Sequence, residues 1–282
     1  MSVIDIPASQ YHADALGTEQ PSLSSSIAKV LLSESPAHAK AKHPRLSDFP
    51  IVRDDADHLE IGTVVHSLLL DGGATVDVLE FDSWRTNASK EARELSRAAG
   101  RIPLLAHKWG QARTIADAVK EELRHVTVTP RPLSNGKPEQ TLKWMEGDVA
   151  CRARLDWLSN DHTVIDDLKT SSRSANPHGF DRTIFSMGYQ VQAAMYLRAV
   201  KAVTGTDAIY RWVAVETTAP YAVSVLQLAP DALALADAQL DHAIGIWREC
   251  LATNRWPGYA SRVHFVEAPP WEEARWLERV AA

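Results

Sequence analysis

The sequence predicts an α/β protein, a central mixed β-sheet flanked by helices, with a helical section at its N-terminal end. Three observations predict it. Apolar residues before about residue 130 recur at helical spacing. Three short segments between Gln140 and Lys169 are rich in strand formers and separated by turn residues. After them a helix, two strands and a long helix follow, an order that covers a sheet with helices.

Ser24 or Ser25 fits the cap of a first helix whose Ile27, Val30 and Leu31 share a face, because a serine oxygen satisfies a free amide of the first turn. Pro36 lacks an amide hydrogen and should end or bend that helix. Residues 43–57, rich in Pro, Asp and Arg, read as a loop. Ile61, Val64, Val65, Leu68 and Leu69 make Leu59–Leu70 a helix, closed by Gly72-Gly73. Beyond Pro103, the stripe Leu105, Trp109, Ala112, Ala116, Val119 and Leu123 predicts a long amphipathic helix.

Gln140–Trp144 and Val149–Leu158 read as strands around the turn Met145-Glu146-Gly147-Asp148. Ser159-Asn160-Asp161-His162 turns the chain into a third strand, Thr163–Lys169. Ser186–Val203 reads as a helix, Ala208–Glu216 and Ala222–Leu228 as strands, and Asp231–Ala252 as a helix after Pro230. The chain thus reads as one domain over 1–282: a helical section over 1–130, an α/β core over 131–260 and a tail over 261–282. It has no internal repeat and no low-complexity tract.

Composition excludes several classes. At 282 residues the chain can bury roughly three quarters of its unfolded surface, and 45% hydrophobic residues is ordinary for a globular protein. No apolar run reaches the ~18 residues of a membrane span, so no membrane partner is expected. Met1-Ser2-Val3-Ile4-Asp5 lacks the basic and apolar regions of a secretory signal. Cys151 and Cys250 are too few for a disulfide framework or a four-thiolate cluster. The expected location is cytoplasmic. A net charge of -6 argues against a protein that coats nucleic acid by general positive charge. It is compatible with acids gathered at a metal site.

The chemistry lies on the second and third strands. Side chains alternate along a strand, so Val149, Cys151, Ala153 and Leu155 share one face while Ala150, Arg152, Arg154 and Asp156 share the other. On the next strand Asp167 and Lys169 share a face and Asp166 points away, so replacing Asp166 is expected to affect activity much less than replacing Asp167. The turn between the strands brings Asp156 near Asp167. An acid facing an Asp-x-Lys is the set that metal-assisted phosphodiester hydrolysis needs. Mg²⁺ prefers oxygen ligands, and Asp156, Asp167 and the Leu168 carbonyl can supply them. Lys169 can orient the attacking water or stabilise developing charge.

Other positions have two readings. Gln192 and Tyr196, four apart on the following helix, can reach the site and bind phosphate, or can be ordinary packing. His66 lies one turn after Gly62, which leaves room beside it. It is either a third metal ligand or a solvated or core helix histidine. Glu139, just before the first strand, is a candidate substrate-binding residue. Arg152 and Arg154 are candidates for phosphate contacts, since a guanidinium fork matches phosphate oxygens. For these three, surface charge pairing is the alternative.

Taken together the residues resemble the PD-(D/E)XK nuclease superfamily, in its RecB/RecE-like branch. The matching motifs are Gly62-Thr63-x-x-His66, Arg154-Leu155-Asp156, Ile165-Asp166-Asp167-Leu168-Lys169-Thr170 and Gln192-x-x-x-Tyr196. The segment from Leu23 to His38 and Trp256-Pro257-Gly258-Tyr259 are similar to parts of prophage exonuclease VIII-type proteins, so the resemblance runs from Tyr11 to Tyr259.

The resemblance implies a restriction-endonuclease-like core. It implies metal binding by His66, Asp156 and Asp167, a catalytic Lys169, and substrate support from Gln192 and Tyr196. The implied cofactor is Mg²⁺, with Mn²⁺ able to substitute. Leu155 stands where a proline often precedes the first acid, and the four cysteines of some RecB-like relatives are absent, so no iron–sulfur cluster is expected. The implied activity is exonucleolytic resection of linear duplex DNA ends in phage-type recombination within a bacterial host. The expected partners are a single-strand annealing protein and further copies of the chain, in a homo-oligomer. The alternatives are a structure-specific or restriction-type endonuclease with the same site, and a catalytically silent DNA-binding or assembly protein.

Overall fold

The computed structural model describes residues 2–4, 6–49, 57–70 and 75–281. In chain order its elements are β1 (Ser2–Ile4), α1 (Ala8–His12), α2 (Ser25–Ser33), α3 (Pro36–Lys42), α4 (Asp57–Leu70), β2 (Val76–Leu79), α5 (Asn87–Ala98), β3 (Ile102–Leu105), α6 (Ala106–His125), β4 (Gly136–Glu146), β5 (Val149–Ser159), β6 (Val164–Ser171), α7 (Pro177–Ser186), α8 (Tyr189–Thr204), β7 (Ile209–Glu216), β8 (Val223–Leu226), α9 (Pro230–Thr253) and α10 (Pro270–Ala281).

The main sheet has six strands in the order β1-β4-β5-β6-β7-β8. β6 and β7 are parallel and the other neighbours antiparallel. A parallel pair needs a long crossover, and α7 and α8 supply it. β2 and β3 form a separate two-stranded parallel sheet. The expected mixed sheet flanked by helices is what the chain forms.

Two apolar clusters lie on the two sides of the main sheet. One gathers Leu23, Ile27 and Leu31 with Val191, Met195, Leu240 and Trp247 against Cys151, Leu155, Ile165 and Trp212. The other packs Val64, Val65 and Leu69 of α4 and Ala112, Ile115 and Val119 of α6 against Leu168, Val213 and Val215. Strand β7 feeds both, with Trp212 on one side and Val213 on the other. A strand covered on both faces is apolar throughout rather than alternating.

Local differences from the expected elements have physical causes. Ser24 caps α2 by accepting the Ile27 N–H. Pro36 does not bend that helix. It opens α3, with Ser35 as its cap, because proline's fixed φ and missing amide suit the first turn. Residues 43–49 carry no helix or strand, and Asp57 already belongs to α4. The rest of the expected loop, residues 50–56, and Gly72-Gly73 lie outside the described residues. Leu105 ends β3 instead of starting the long helix, which begins at Ala106. The span Ser186–Val203 is broken at Met187-Gly188, where Gly188 has φ 66, so Ser186 ends α7 and α8 begins at Tyr189. β1, β2, β3, α1, α3, α5 and α7 were not expected. The three strands run three or four residues, too short to show a period. The tail carries α10. No described helix is long and apolar enough to cross a membrane.

Candidate active site

The site begins with a tight hairpin. Glu146 pairs with Val149 across Gly147-Asp148, and the ladder runs to Gly136 opposite Ser159. Pro138 pairs with Trp157 and Gln140 with Leu155, which sets Glu139 across from Asp156. Glu139 has φ 55, a left-handed conformation that costs a non-glycine residue about 1–2 kcal/mol. Arg154 holds it there, its Nε donating to Glu139 Oε2 at 2.5 Å and its Nη1 to Thr141 Oγ1 at 2.9 Å and the Ile6 carbonyl at 3.1 Å.

Strands β5 and β6 pair at Trp157–Asp166 and Leu158–Ile165 and then part. Asp156 bridges the opening, because its Oδ2 accepts the Leu168 N–H at 2.9 Å. Asp161 shapes the preceding turn by accepting from Ser159 Oγ at 2.6 Å and the Thr163 amide at 3.1 Å.

Helix α4 reaches this opening from one side of the sheet. His66 Nε2 lies 3.1 Å from Asp156 Oδ2, and its Nδ1 lies 3.6 Å from Glu139 Oε1. One ligand atom from each of His66, Glu139 and Asp156 lies within 4.8 Å of the others. Gly62 makes the approach possible in a way the sequence reading did not foresee. A Cβ there would stand 2.8 Å from Thr170 Oγ1, so the room it leaves is occupied by β6, not by His66.

From the other side comes α8. Gln192 Nε2 donates to Asp167 Oδ1 at 2.8 Å. Asp167 Oδ2 is in an ion pair with Lys169 Nζ. Tyr196 is buried and meets Tyr210 edge-on, with ring centres 6.2 Å apart. Lys169 Nζ also lies 4.8 Å from the ring centre of Tyr189. The fold therefore makes two groups, His66–Glu139–Asp156 and Asp167–Lys169–Gln192, close enough that Asp156 feels the charge of Lys169 and Asp167 that of Asp156, with the buried Tyr196 beside Gln192.

Burial dominates the electrostatics. It pushes the Asp167 pKa up to about 6 against the pull of Lys169, and Asp156 adds to the rise. For Asp156 burial also acts upward, but the His66 hydrogen bond and charge, with Lys169, hold the carboxyl below its ordinary range. Burial opposes the charged forms of Lys169 and His66, yet the neighbouring carboxylates raise both pKa values. One imidazole nitrogen and several carboxylate oxygens at this separation form a donor set that suits a hard or borderline divalent cation.

Two other residues lie elsewhere. Arg152, expected as a phosphate contact, is buried with Nη1 2.9 Å from Asp14 Oδ1 and 2.8 Å from Ser22 Oγ. It ties the N-terminal section to β5. Asp166 leaves the opposite face of β6 as expected, but into a buried bidentate pair. Arg211 Nε and Nη2 donate to its two oxygens at 2.7 and 2.9 Å, and the Leu133 N–H adds a third bond at 2.8 Å.

Glu139 stands beside the candidate metal ligands, a place the sequence reading did not assign to it. The signal was present: counting back from the Gly147-Asp148 turn sets residue 139 opposite residue 156. Tyr189 and Tyr210 were also missed, and neither carries a local pattern that marks it.

A family model described as a PDDEXK-like domain of unknown function (DUF3799) matches residues 24–269. No protein with a curated description matches the chain in sequence. Among solved structures, an inferred exonuclease from Eubacterium rectale superposes with a TM-score of 0.62 at 13% identity, covering 96% of this chain and 98% of that one. At that identity the likeness shows a shared fold. A phage related exonuclease from Haemophilus somnus 129PT is similar over 68% of this chain and 95% of its own, at 12% identity and a TM-score of 0.29.

Proposed function

The chain belongs to this PDDEXK-like family, and on that premise we propose that it is a divalent-metal-dependent nuclease that hydrolyses DNA phosphodiester bonds. The observation that carries the reading is the convergence of Asp156, at the opening between β5 and β6, with the Asp167–Lys169 ion pair. A half-buried lysine paired with one carboxylate and acted on by the charge of a second is the arrangement that phosphodiester hydrolysis uses.

In this reading His66, Glu139, Asp156 and Asp167 hold the metal, with the Leu168 carbonyl as a further ligand. Mg²⁺ is the natural ion and Mn²⁺ a substitute. When bound, the cation lowers the pKa of a coordinated water and offsets phosphate charge. Lys169 keeps its proton and donates a hydrogen bond to the attacking water or to the phosphate oxygen where charge develops. Gln192 fixes the orientation of Asp167 from α8, and Tyr196 backs that contact. Arg154 acts through Glu139, holding it in its left-handed conformation.

The finer reading is an exonuclease that resects linear duplex ends in phage-type recombination within a bacterial cytoplasm, alongside a single-strand annealing protein. A homo-oligomer accompanies it. With a net charge of -6 a single copy has little general attraction for DNA, and enclosure by several copies would supply the hold. Incubation with Mg²⁺ and end-labelled linear duplex beside closed circular duplex tests this. Loss of linear DNA only, abolished by chelator, is the expected result. Cutting of closed circles would favour the endonuclease alternative. No cleavage with Mg²⁺ or Mn²⁺ would leave the silent binding protein. Light scattering giving 31.1 kDa, the mass of one chain, would remove the oligomer.

A further inference from the structure

The cations around the sheet have carboxylates to face. Arg152 faces Asp14, Arg154 faces Glu139, Lys169 faces Asp167 and Arg211 faces Asp166. Lys29, half-buried on α2, has no described carboxylate at ion-pair distance. Its Nζ lies 5.3 Å from the ring centre of Tyr189, the same ring that Lys169 Nζ approaches at 4.8 Å. Two ammonium groups share one aromatic ring, and one of them has no counter-ion at ion-pair distance among the described residues.

The position of Lys29 is built. A Cβ at Gly188 would stand 2.9 Å from Lys29 Cδ and 3.0 Å from its Cγ, and φ 66 there also favours glycine. The bare backbone thus seats the lysine stem. The start of α2 is stitched to the strand that carries Asp156: Leu23 N–H donates to the Ala150 carbonyl at 2.8 Å, and Arg152 N–H to the Leu23 carbonyl at 2.9 Å. Lys29 is therefore placed relative to the site by backbone bonds.

We propose that Lys29 is a phosphate-binding residue of the site, taking a backbone phosphate of the nucleic acid next to the scissile one, on which Lys169 acts in the chemical step. The ring offers its ammonium one attractive face, while three N–H donors seek acceptors. Burial, and then the charge of Lys169, lower the Lys29 pKa, with Asp167 opposing. A phosphate would answer both the missing counter-ion and the like-charge neighbour. The bland alternative is that Lys29 only packs its stem on Tyr189 and Gly188.

The proposal rests on the nuclease reading, and the experiment separates the two. Lys29→Met keeps the stem and removes the charge, Lys29→Arg keeps the charge, and Lys29→Gln repeats the charge loss if the methionine variant does not fold. KM and kcat are measured on end-labelled linear duplex with Mg²⁺. Binding of a fluorescent duplex in chelator is titrated against salt. Loss of one charge-assisted bond should raise KM about tenfold with a smaller change in kcat. It should also lower the log–log salt slope by about 1, and Lys29→Arg should recover both. Wild-type values of KM and salt slope in the charge-removed variants would overturn the role of Lys29. A wild-type protein that neither cuts nor binds duplex would overturn the nuclease reading, and this proposal with it.

Discussion

His66 Nε2 lies 3.1 Å from Asp156 Oδ2, so a helix on one side of the sheet and a central strand meet at a single carboxylate. Glu139, across the hairpin, completes the group. His66→Ala and Glu139→Gln should each weaken Mn²⁺ binding by at least about tenfold in calorimetric titration. Metal binding requires neutral imidazole. The His66 pKa is raised above 6.5, so affinity should fall as pH drops through that raised value. Unchanged affinity in Glu139→Gln would return the metal to the His66–Asp156–Asp167 set.

Lys169→Met should bind metal and duplex normally and cut about 100- to 1,000-fold more slowly, the usual cost of one charge-stabilising donor. The ammonium cannot ligate a cation, so its loss should appear in single-turnover rates. Lost metal binding in this variant would contradict the role.

Asp166→Ala should cost about 3–5 kcal/mol in urea unfolding, because it leaves the Arg211 guanidinium buried without its partner. The sequence reading expects Asp166→Ala to affect activity much less than Asp167→Ala and says nothing of stability, which the buried pair with Arg211 now brings in. An unfolding midpoint equal to wild type would show the pair to be dispensable.

Gly62→Ala drives a methyl against Thr170 Oγ1 and should push α4 away from β6, weakening metal binding and cleavage together. Thr170→Ala in the same chain removes the obstructing hydroxyl and should restore much of both. If the double variant is no better than the single one, the close approach is not what the glycine provides.

His43 is buried between Ser22, Asp14, Arg45 and Arg152 and packs on Trp247. Its Nδ1 accepts the Arg45 N–H at 3.2 Å, and its Nε2 lies 3.1 Å from the Ser22 carbonyl, an arrangement that suits neutral imidazole. Burial lowers its pKa to about 4, with Arg152 also acting downward and Ser22 and Asp14 opposing. The unfolded chain, with an ordinary histidine pKa of about 6.5, binds the proton first. Stability from this group is therefore full above pH 6.5 and falls as pH drops toward 4, by on the order of 3 kcal/mol. His43→Gln should flatten that part of the stability profile, and an equal slope in both proteins would assign the loss to other groups.

Local pattern determined the strands from β4 to β8 and the alternation along β5 and β6. Val149, Cys151, Ala153 and Leu155 alternate because a strand has a period of two, and Asp167 and Lys169 share a face for the same reason. Gln192 and Tyr196 follow from helical spacing. What the pattern lacks is the identity of distant partners. Asp166 and Arg211 are 45 residues apart, and Arg152 and Ser22 are 130 apart. No periodicity links such pairs, and only the stacking of β6 on β7 and of the N-terminal section on β5 brings them together. Glu139 stands between the cases, since a turn counted correctly sets it opposite Asp156, while its left-handed backbone and its side-chain bond to Arg154 are seen only in the fold. Gly62 is marked in the sequence by its place one turn before His66, but only the packing of α4 on β6 shows that the room it leaves is taken by Thr170. Lys29 reads as unremarkable along the chain and has its meaning in the ring packed against it, Tyr189.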